Sequence, residues 1–304
     1  MKDVFAKSVE VATMPCTSRL VDRICDGVLA REFSVAFQPI VDVDSGRTVG
    51  AEALLRWQHP EFGQLLPGTF AKALLAPEAA WATTAFVIDE VCRQLNASLA
   101  TPSTSFPEGG ARLQFVSFNV LPSQLQGTRL ETLIREALSK HRVRPSLILI
   151  ELLECESIAD QAKLQQDIER LRKLGVRVAI DDFGSGSWTL CDLANLKVDV
   201  VKLSGKLVKR APLDARRWLI LGGMIGLLSD LGFATVVEGI ESTDQRAWIE
   251  TQRPVMAQGY GYARPQPCLR SALRTDESLR RIASSATPPA THAMVPIEKL
   301  CNVL

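Results

Sequence analysis

Along this chain, short apolar runs alternate with stretches of helical periodicity. Leu20, Val21, Ile24, Val28 and Leu29 keep helical spacing across 17–31, and the segment from Ser34 to Val43 then turns apolar in the manner of a strand. Ser45-Gly46 marks a turn into a second strand, Thr48 to Trp57. These two strands are too close together for a helical crossover, so they are expected to pair antiparallel. Helical segments across 69–99 precede a strand at 113–120, and a helix at 129–141 precedes a strand at 147–152. The period continues with a helix at 158–174 and a strand at 176–181, then a helix after Ser187 and a strand at 198–203. A helix at 214–231 leads to a strand at 233–237, and a short helix near 244–250 leads to a strand at 255–258. Seven or eight strands linked mostly by helices suit an α/β fold, a TIM-like (β/α)8 barrel with an antiparallel first strand; an open doubly wound sheet fits the same alternation.

Three segments stand apart. The most apolar stretch, Trp218 to Leu228, is too short for a bilayer, which needs about 20 apolar residues. It reads as a buried helix, with Asp214 near its start and Gly232 just past its end. Thr101 to Gly110, with two prolines and two glycines, reads as an inserted surface loop, and Ala283 to Pro296 as flexible chain. The expected division is a helical extension at 1–32, one domain at 33–282 and a flexible tail at 283–304.

Composition narrows the partners. Thirty-five basic against thirty-four acidic residues supply no general field for DNA or an anionic membrane, and neither is expected as a partner. Seven cysteines, odd in number, scattered and without Cys-x-x-Cys spacing, read as reduced thiols. With an N-terminus that lacks an apolar signal core, they suggest a cytoplasmic protein.

The chemistry lies in the polar residues that end apolar strands. In a parallel barrel those ends converge on one face, where barrel active sites sit. Here they are Glu52 and Arg56, Asn119, Glu151, Asp181 and Asp182, Lys202, Glu238, and Gln258. A lone strand-borne acid is costly to desolvate and reads most simply as a cap or an ion-pair partner. Independent caps, however, would not fall at consecutive strand ends. The set is rich in carboxylate and amide oxygens, which suit Mg²⁺ or Mn²⁺, and with only three histidines a zinc-type cluster is poorly supported. The Asp181-Asp182 pair suits two neighbouring ions that polarise a phosphodiester, Lys202 suits water orientation, and the planar fork of Arg56 suits a phosphate.

The residues Phe37-Gln38-Pro39-Ile40-Val41, Glu52-Ala53-Leu54 with Arg56-Trp57 and His59-Pro60, Ser117-Phe118-Asn119, Glu151-Leu152-Leu153-Glu154, Asp181-Asp182-Phe183-Gly184, Lys202, Glu238-Gly239-Ile240-Glu241, and Gln258-Gly259-Tyr260 with Arg264-Pro265 resemble, in that order, an EAL domain. The resemblance spans roughly Phe33 to Pro265. It implies hydrolysis of cyclic di-GMP to linear pGpG with two Mg²⁺ or Mn²⁺ ions. Carried over by motif, Glu52, Asn119, Glu151 and Asp181 would hold one ion, and Asp181, Asp182 and Glu238 the other. Lys202 and Gln258 would position water, and Glu241 would support the site. Gln38, the Leu54 backbone and Arg56 would contact the dinucleotide, and Glu154 would steady the loop after Asp182.

Some positions depart from the family pattern. The loop after the Asp pair usually resembles Gly-Thr-Gly-Tyr-Ser-Ser and here reads Gly184-Ser185-Gly186-Ser187-Trp188-Thr189, in a segment that the resemblance ties to dimerisation. Lys202-Leu203-Ser204 replaces a Lys-Ile-Asp, and Lys72-Ala73-Leu74-Leu75 replaces a run that usually carries Ala-Glu. Besides a homodimeric phosphodiesterase, the sequence therefore admits a non-hydrolytic cyclic di-GMP receptor or a regulator that works through a protein partner.

Overall fold

The computed structural model describes residues 17–100, 113–154, 160–186, 188–209, 214–252 and 254–274. The 101–110 loop and the 283–304 tail lie outside the described residues.

The described residues form nine strands: β1 (Phe33–Asp42), β2 (Arg47–His59), β3 (Gly63–Leu65), β4 (Phe115–Val120), β5 (Ile148–Leu152), β6 (Arg177–Phe183), β7 (Val200–Leu203), β8 (Ala234–Val237) and β9 (Met256–Ala257). Eight of them close into a barrel in the order β1-β2-β4-β5-β6-β7-β8-β9, with β9 pairing back to β1 and β3 added as a short flap on β2. β1 runs antiparallel to both its neighbours, and the other barrel pairs from β2 through β9 are parallel. The fold is therefore the closed α/β barrel, with the antiparallel first strand expected from the short Ser45-Gly46 connection.

Helices α1 (Thr17–Leu29), α2 (Pro67–Leu74), α3 (Pro77–Leu99), α4 (Arg129–His141), α5 (Gln161–Lys173), α6 (Leu190–Asn195), α7 (Gly205–Val208), α8 (Ala215–Asp230), α9 (Thr243–Ile249) and α10 (Leu269–Leu273) surround it. Their starts follow local chemistry. Pro67 and Pro77 occupy first helical turns, where a missing N–H costs nothing, and the second proline splits the helical stretch expected across 69–99 into α2 and α3. Asp160, Thr189, Ser204, Asp214 and Ser242 cap their helices by accepting backbone N–H groups. α1 is clamped to the barrel through Glu32, which accepts from Arg23 at 2.6 Å and from Trp57 Nε1 at 2.9 Å, over a small core of Ile24, Phe33, Trp57 and Phe70.

α8 differs from expectation. Its cap at Asp214 and its termination before Gly232, at φ +82°, are as anticipated. The helix is not buried, though: Leu221, Ile225 and Leu228 face the barrel, while Leu219 is 67% and Ile220 50% exposed. Only one stripe of a helix can meet a barrel wall; Trp218 and Met224 pack at its margin, and Leu219, Ile220 and Leu227 are left exposed. Among the described residues no helix is long and apolar enough to cross a membrane.

Strand periodicity organises the barrel interior into layers. Ile40, Phe115, Leu149, Ala179, Val200 and Val236 form one buried apolar cluster, with Met256 packed against it. Two residues further along each parallel strand, on the same face, stand Ser117, Glu151, Asp181, Lys202, Glu238 and Gln258. β1 runs the other way, so Gln38 lies two residues before Ile40, and Glu52 pairs with it across the β1–β2 ladder. Gly50 completes the floor by omission, because the Phe115 ring fills the space its side chain would take.

A Cβ at Gly50 would lie 2.8 Å from that ring. Gly50→Ala is expected to lower the unfolding free energy by about 1–3 kcal/mol through overpacking. Urea denaturation checks this, and an unchanged midpoint would contradict the account of the floor.

Candidate active site

Above the apolar floor the barrel closes around one ammonium group. Lys202, 1% exposed, places Nζ 2.7 Å from Glu238 Oε1, 2.9 Å from Glu151 Oε2, 3.1 Å from Asp181 Oδ1 and 3.2 Å from Glu52 Oε2. Four carboxyl groups thus share a single cation in a desolvated setting. Gln258 Nε2 donates to Glu52 Oε2 at 2.7 Å, and Asn119 Nδ2 donates to Glu52 Oε1 at 3.1 Å.

The electrostatics follow from this imbalance. Burial raises Glu151 well above the ordinary carboxyl range, raises Asp181, and pushes Glu238 up to about 7; Lys202 opposes each shift without cancelling it. Burial also acts upward on Glu52, but Lys202, Gln258 and Asn119 outweigh it and hold this group below its usual value. Desolvation disfavours the Lys202 ammonium, and the surrounding acids overcome it and raise its pKa well above normal.

The donor set fits a hard divalent cation by its chemistry. Glu151 Oε1, Asn119 Oδ1 and Gln258 Oε1 are buried without a hydrogen-bond partner, and Asp181 Oδ1 meets only the Lys202 ammonium, an unusual concentration of unused lone pairs. Among the described residues no three Asp, Glu, His or Cys side chains are drawn together tightly enough to hold an ion as they stand. Lys202 Nζ sits in their midst, so binding requires side-chain rearrangement around the ammonium.

The remaining anticipated residues surround this centre. Asp182 adopts a left-handed φ of +55°, which turns the chain directly after Asp181. Its Oδ2 accepts from Ser185 Oγ at 2.9 Å, and Lys206 Nζ lies 3.9 Å away. It therefore stands at the lip rather than among the acids that contact Lys202. Glu154 accepts from the Trp188 backbone N–H at 2.8 Å and lies 2.7 Å from Ser185 Oγ, which ties the following loop to the end of β5. Ser185 enters the sequence reading only as part of a departing loop; a Ser three residues after a carboxylate pair carries no signal of its own until the turn brings it back. Ser204 has become an N-cap that accepts from Lys206 N–H, a use its replacement of an acid did not announce.

Gln38 and Glu241 line a polar pocket of about 290 Å³ together with Glu52, Asp181, Glu238 and Tyr260. Gln38 makes a long 3.4 Å contact to Ala263 O, and the Glu241 backbone is fixed by Gln245 Oε1 at 2.7 Å. Arg56 is half-buried, donates to Leu55 O at 2.8 Å, and has its pKa lowered by desolvation. Leu54 lies on the opposite side, in the wall of a larger apolar pocket of about 430 Å³ that also reaches Asp181 and Asp182. Gly259, next to Gln258, passes so close to Ile240 that a Cβ would fall 2.1 Å from its carbonyl oxygen, which fixes where Gln258 stands.

A closed β/α barrel with an all-oxygen acidic centre at the carboxyl ends of its strands is the class of molecule this defines. The EAL domain family matches residues 22–265, and the chain belongs to it. Cyclic di-GMP phosphodiesterase RocR of Pseudomonas aeruginosa is 31% identical over 261 residues, covering 86% of this chain. The chain spans 63% of the length of RocR. A Mycobacterium tuberculosis protein is 33% identical over 245 residues, 78% of this chain and 76% of that protein. Among solved structures, the PaMucR phosphodiesterase in complex with c-di-GMP superposes with a TM-score of 0.73 at 27% identity, over 82% of this chain and 98% of that one.

Removing the central cation would leave buried acids facing one another. Lys202→Met is expected to cost about 3–5 kcal/mol of stability in metal-free buffer, the range for breaking a buried ion pair from one side. Chemical denaturation measures it, and a loss below about 1 kcal/mol would mean the acids do not depend on Lys202.

Proposed function

We propose that this chain is a divalent-metal-dependent phosphodiesterase that hydrolyses cyclic di-GMP to linear pGpG. The observation that carries the reading is the group of four carboxyls around Lys202, with unused buried oxygens beside it. Kinship with RocR supports the substrate. In this reading Glu52, Asn119, Glu151 and Asp181 hold one Mg²⁺ or Mn²⁺, and Asp181, Asp182 and Glu238 hold a second. Bound there, the ions supply Lewis acidity and lower the pKa of water.

The chain's own groups do the rest. Gln258, held by its amide nitrogen to Glu52, presents a buried Oε1 that can accept a hydrogen from the attacking water. Lys202 orients the same water and offsets charge as the new P–O bond forms and the bond to the 3′ oxygen breaks. Gln38, the Leu54 backbone and Arg56 hold the dinucleotide, with the Arg56 guanidinium suited to a phosphate oxygen pair. Glu241 supports the polar wall. Glu154, through Ser185 and the Trp188 N–H, keeps Asp182 at the lip.

The working unit in this reading is a cytoplasmic homodimer. The apolar outer stripe of α8, where Leu219, Ile220 and Leu227 are exposed, is a surface that a second copy would cover.

Purified protein with labelled cyclic di-GMP is expected to yield pGpG with Mg²⁺ or Mn²⁺ and none with a chelator, and Glu52→Ala to fall to background. Binding without turnover across metals would overturn the reading in favour of a receptor. Sedimentation should give a dimer that Leu219→Lys weakens; a monomer at all concentrations would rule out the α8 contact.

A further inference from the structure

Lys202 fills the centre that the acidic side chains surround. Its Nζ lies between 2.7 and 3.2 Å from one oxygen each of Glu238, Glu151, Asp181 and Glu52, on a side chain that is 1% exposed. An ammonium carries three hydrogens, so four carboxylate oxygens exceed what it can bond at one time. Toward at least one of them it acts as a bare positive charge.

The overlap with the two proposed ion sites is uneven. Glu52, Glu151 and Asp181, the three carboxyls assigned to the first ion, all touch Lys202 Nζ. Of the second set, Asp181 and Glu238 touch it, while Asp182 turns its Oδ2 to Ser185 Oγ and Lys206. Glu52 is engaged on both oxygens, by Asn119 on Oε1 and by Gln258 and Lys202 on Oε2. Among the described residues no three acids gather closely enough to hold an ion as they stand, and the ammonium is what these four gather around.

Two opposite roles fit an ammonium among acids, and their magnitudes choose between them. As a template it would draw the carboxyls together before an ion arrives. As a like charge it would oppose the ion. Charges a few ångströms apart in a poorly hydrated interior interact far more strongly than in water, and a divalent ion meets twice the repulsion that a monovalent group would. The template role saves only the ordering of a few side-chain rotamers, which the barrel strands carrying Glu52, Glu151 and Asp181 already limit. Repulsion is the larger effect.

We propose, building on the divalent-metal reading above, that Lys202 is the internal counter-ion of the metal-free centre and competes with incoming ions for the same carboxylate oxygens. Loading is then a displacement. Before it, the ammonium neutralises part of the acidic layer and lets the barrel close without metal. After it, the same group is released to the attacking water. The competition weakens ion affinity, most for the first ion, whose three carboxyls all contact Lys202. Occupancy of the centre therefore follows the free concentration of divalent ion.

The test is equilibrium Mn²⁺ binding to wild type and Lys202→Met, read by electron paramagnetic resonance at mildly alkaline pH, where protons compete least. Urea denaturation of both proteins at rising Mn²⁺ accompanies it. The variant is expected to bind its tightest ion at least about tenfold more strongly than wild type, and Mn²⁺ to return the stability it lacks in metal-free buffer. Saturable binding by wild type that the variant weakens or leaves unchanged would overturn the inference, make Lys202 a template, and leave the metal centre standing. No saturable binding by either protein would remove the metal reading and the inference with it. Should the variant not fold, wild type with ¹⁵N-labelled lysine decides. Its buried ammonium should exchange hydrogen with water at least about tenfold faster once Mg²⁺, at concentrations that displace Mn²⁺, takes over the acids. An unchanged exchange rate would overturn the inference.

Discussion

The constraint on which this structure turns is electrostatic: four carboxyl groups and one ammonium stand in a place that water barely reaches. Taking each charge out of water costs several kcal/mol, and a single Lys202 cannot repay it for Glu52, Glu151, Asp181 and Glu238 together. Two features keep the arrangement tolerable. Several of the acids are pushed toward their protonated forms, Glu151 most plainly, and Asn119 and Gln258 add neutral donors to Glu52. Nothing about barrel stability asks for such a layer, since aliphatic side chains at the same positions would fill the space at less cost. Its presence is a functional demand placed on the fold.

The fold meets that demand through strand periodicity. One apolar layer, with Phe115 lying over Gly50, plugs the barrel. The next inward position on each strand then lies one step nearer the carboxyl ends, where polar groups converge without threading the core. β1 takes part although it runs backwards, because its antiparallel register sets Gln38 opposite Glu52. Positioning beyond the strands falls to tight turns: the left-handed Asp182, the Ser185 hydroxyl between Glu154 and Asp182, and Gly259 pressed against Ile240.

Much of this was legible in the chain, for a physical reason. An apolar residue followed two positions later by a charged one, repeated at Leu149/Glu151, Ala179/Asp181, Val200/Lys202 and Val236/Glu238, marks a single strand face, and the period of two is a strong local signal. Trp57, at the end of the apolar run read as the second strand, is fully buried. What escaped depends on contacts between distant segments. Whether the far side of α8 is covered cannot be read from its own sequence, because hydropathy does not say how much wall a helix meets. The loop holding Ser185 stood out as a departure from the family pattern, but the contact of its hydroxyl with Glu154 and Asp182 depends on the turn, and the β3 flap is too short for periodicity. The apolar pocket is assembled from β2, α2, α3 and the segment after β4, so no one stretch announces it.

The polar and the apolar pocket both reach the layer around Lys202. Everything proposed about chemistry therefore rests on whether that layer takes up divalent cations. Equilibrium titration with Mn²⁺, following the free ion by electron paramagnetic resonance, tests this directly. The account predicts two saturable ions per wild-type chain and the loss of both in a folded Asp181→Asn variant, since Asp181 would serve each. Absence of saturable binding to the wild-type protein, or undiminished binding to the variant, would contradict it.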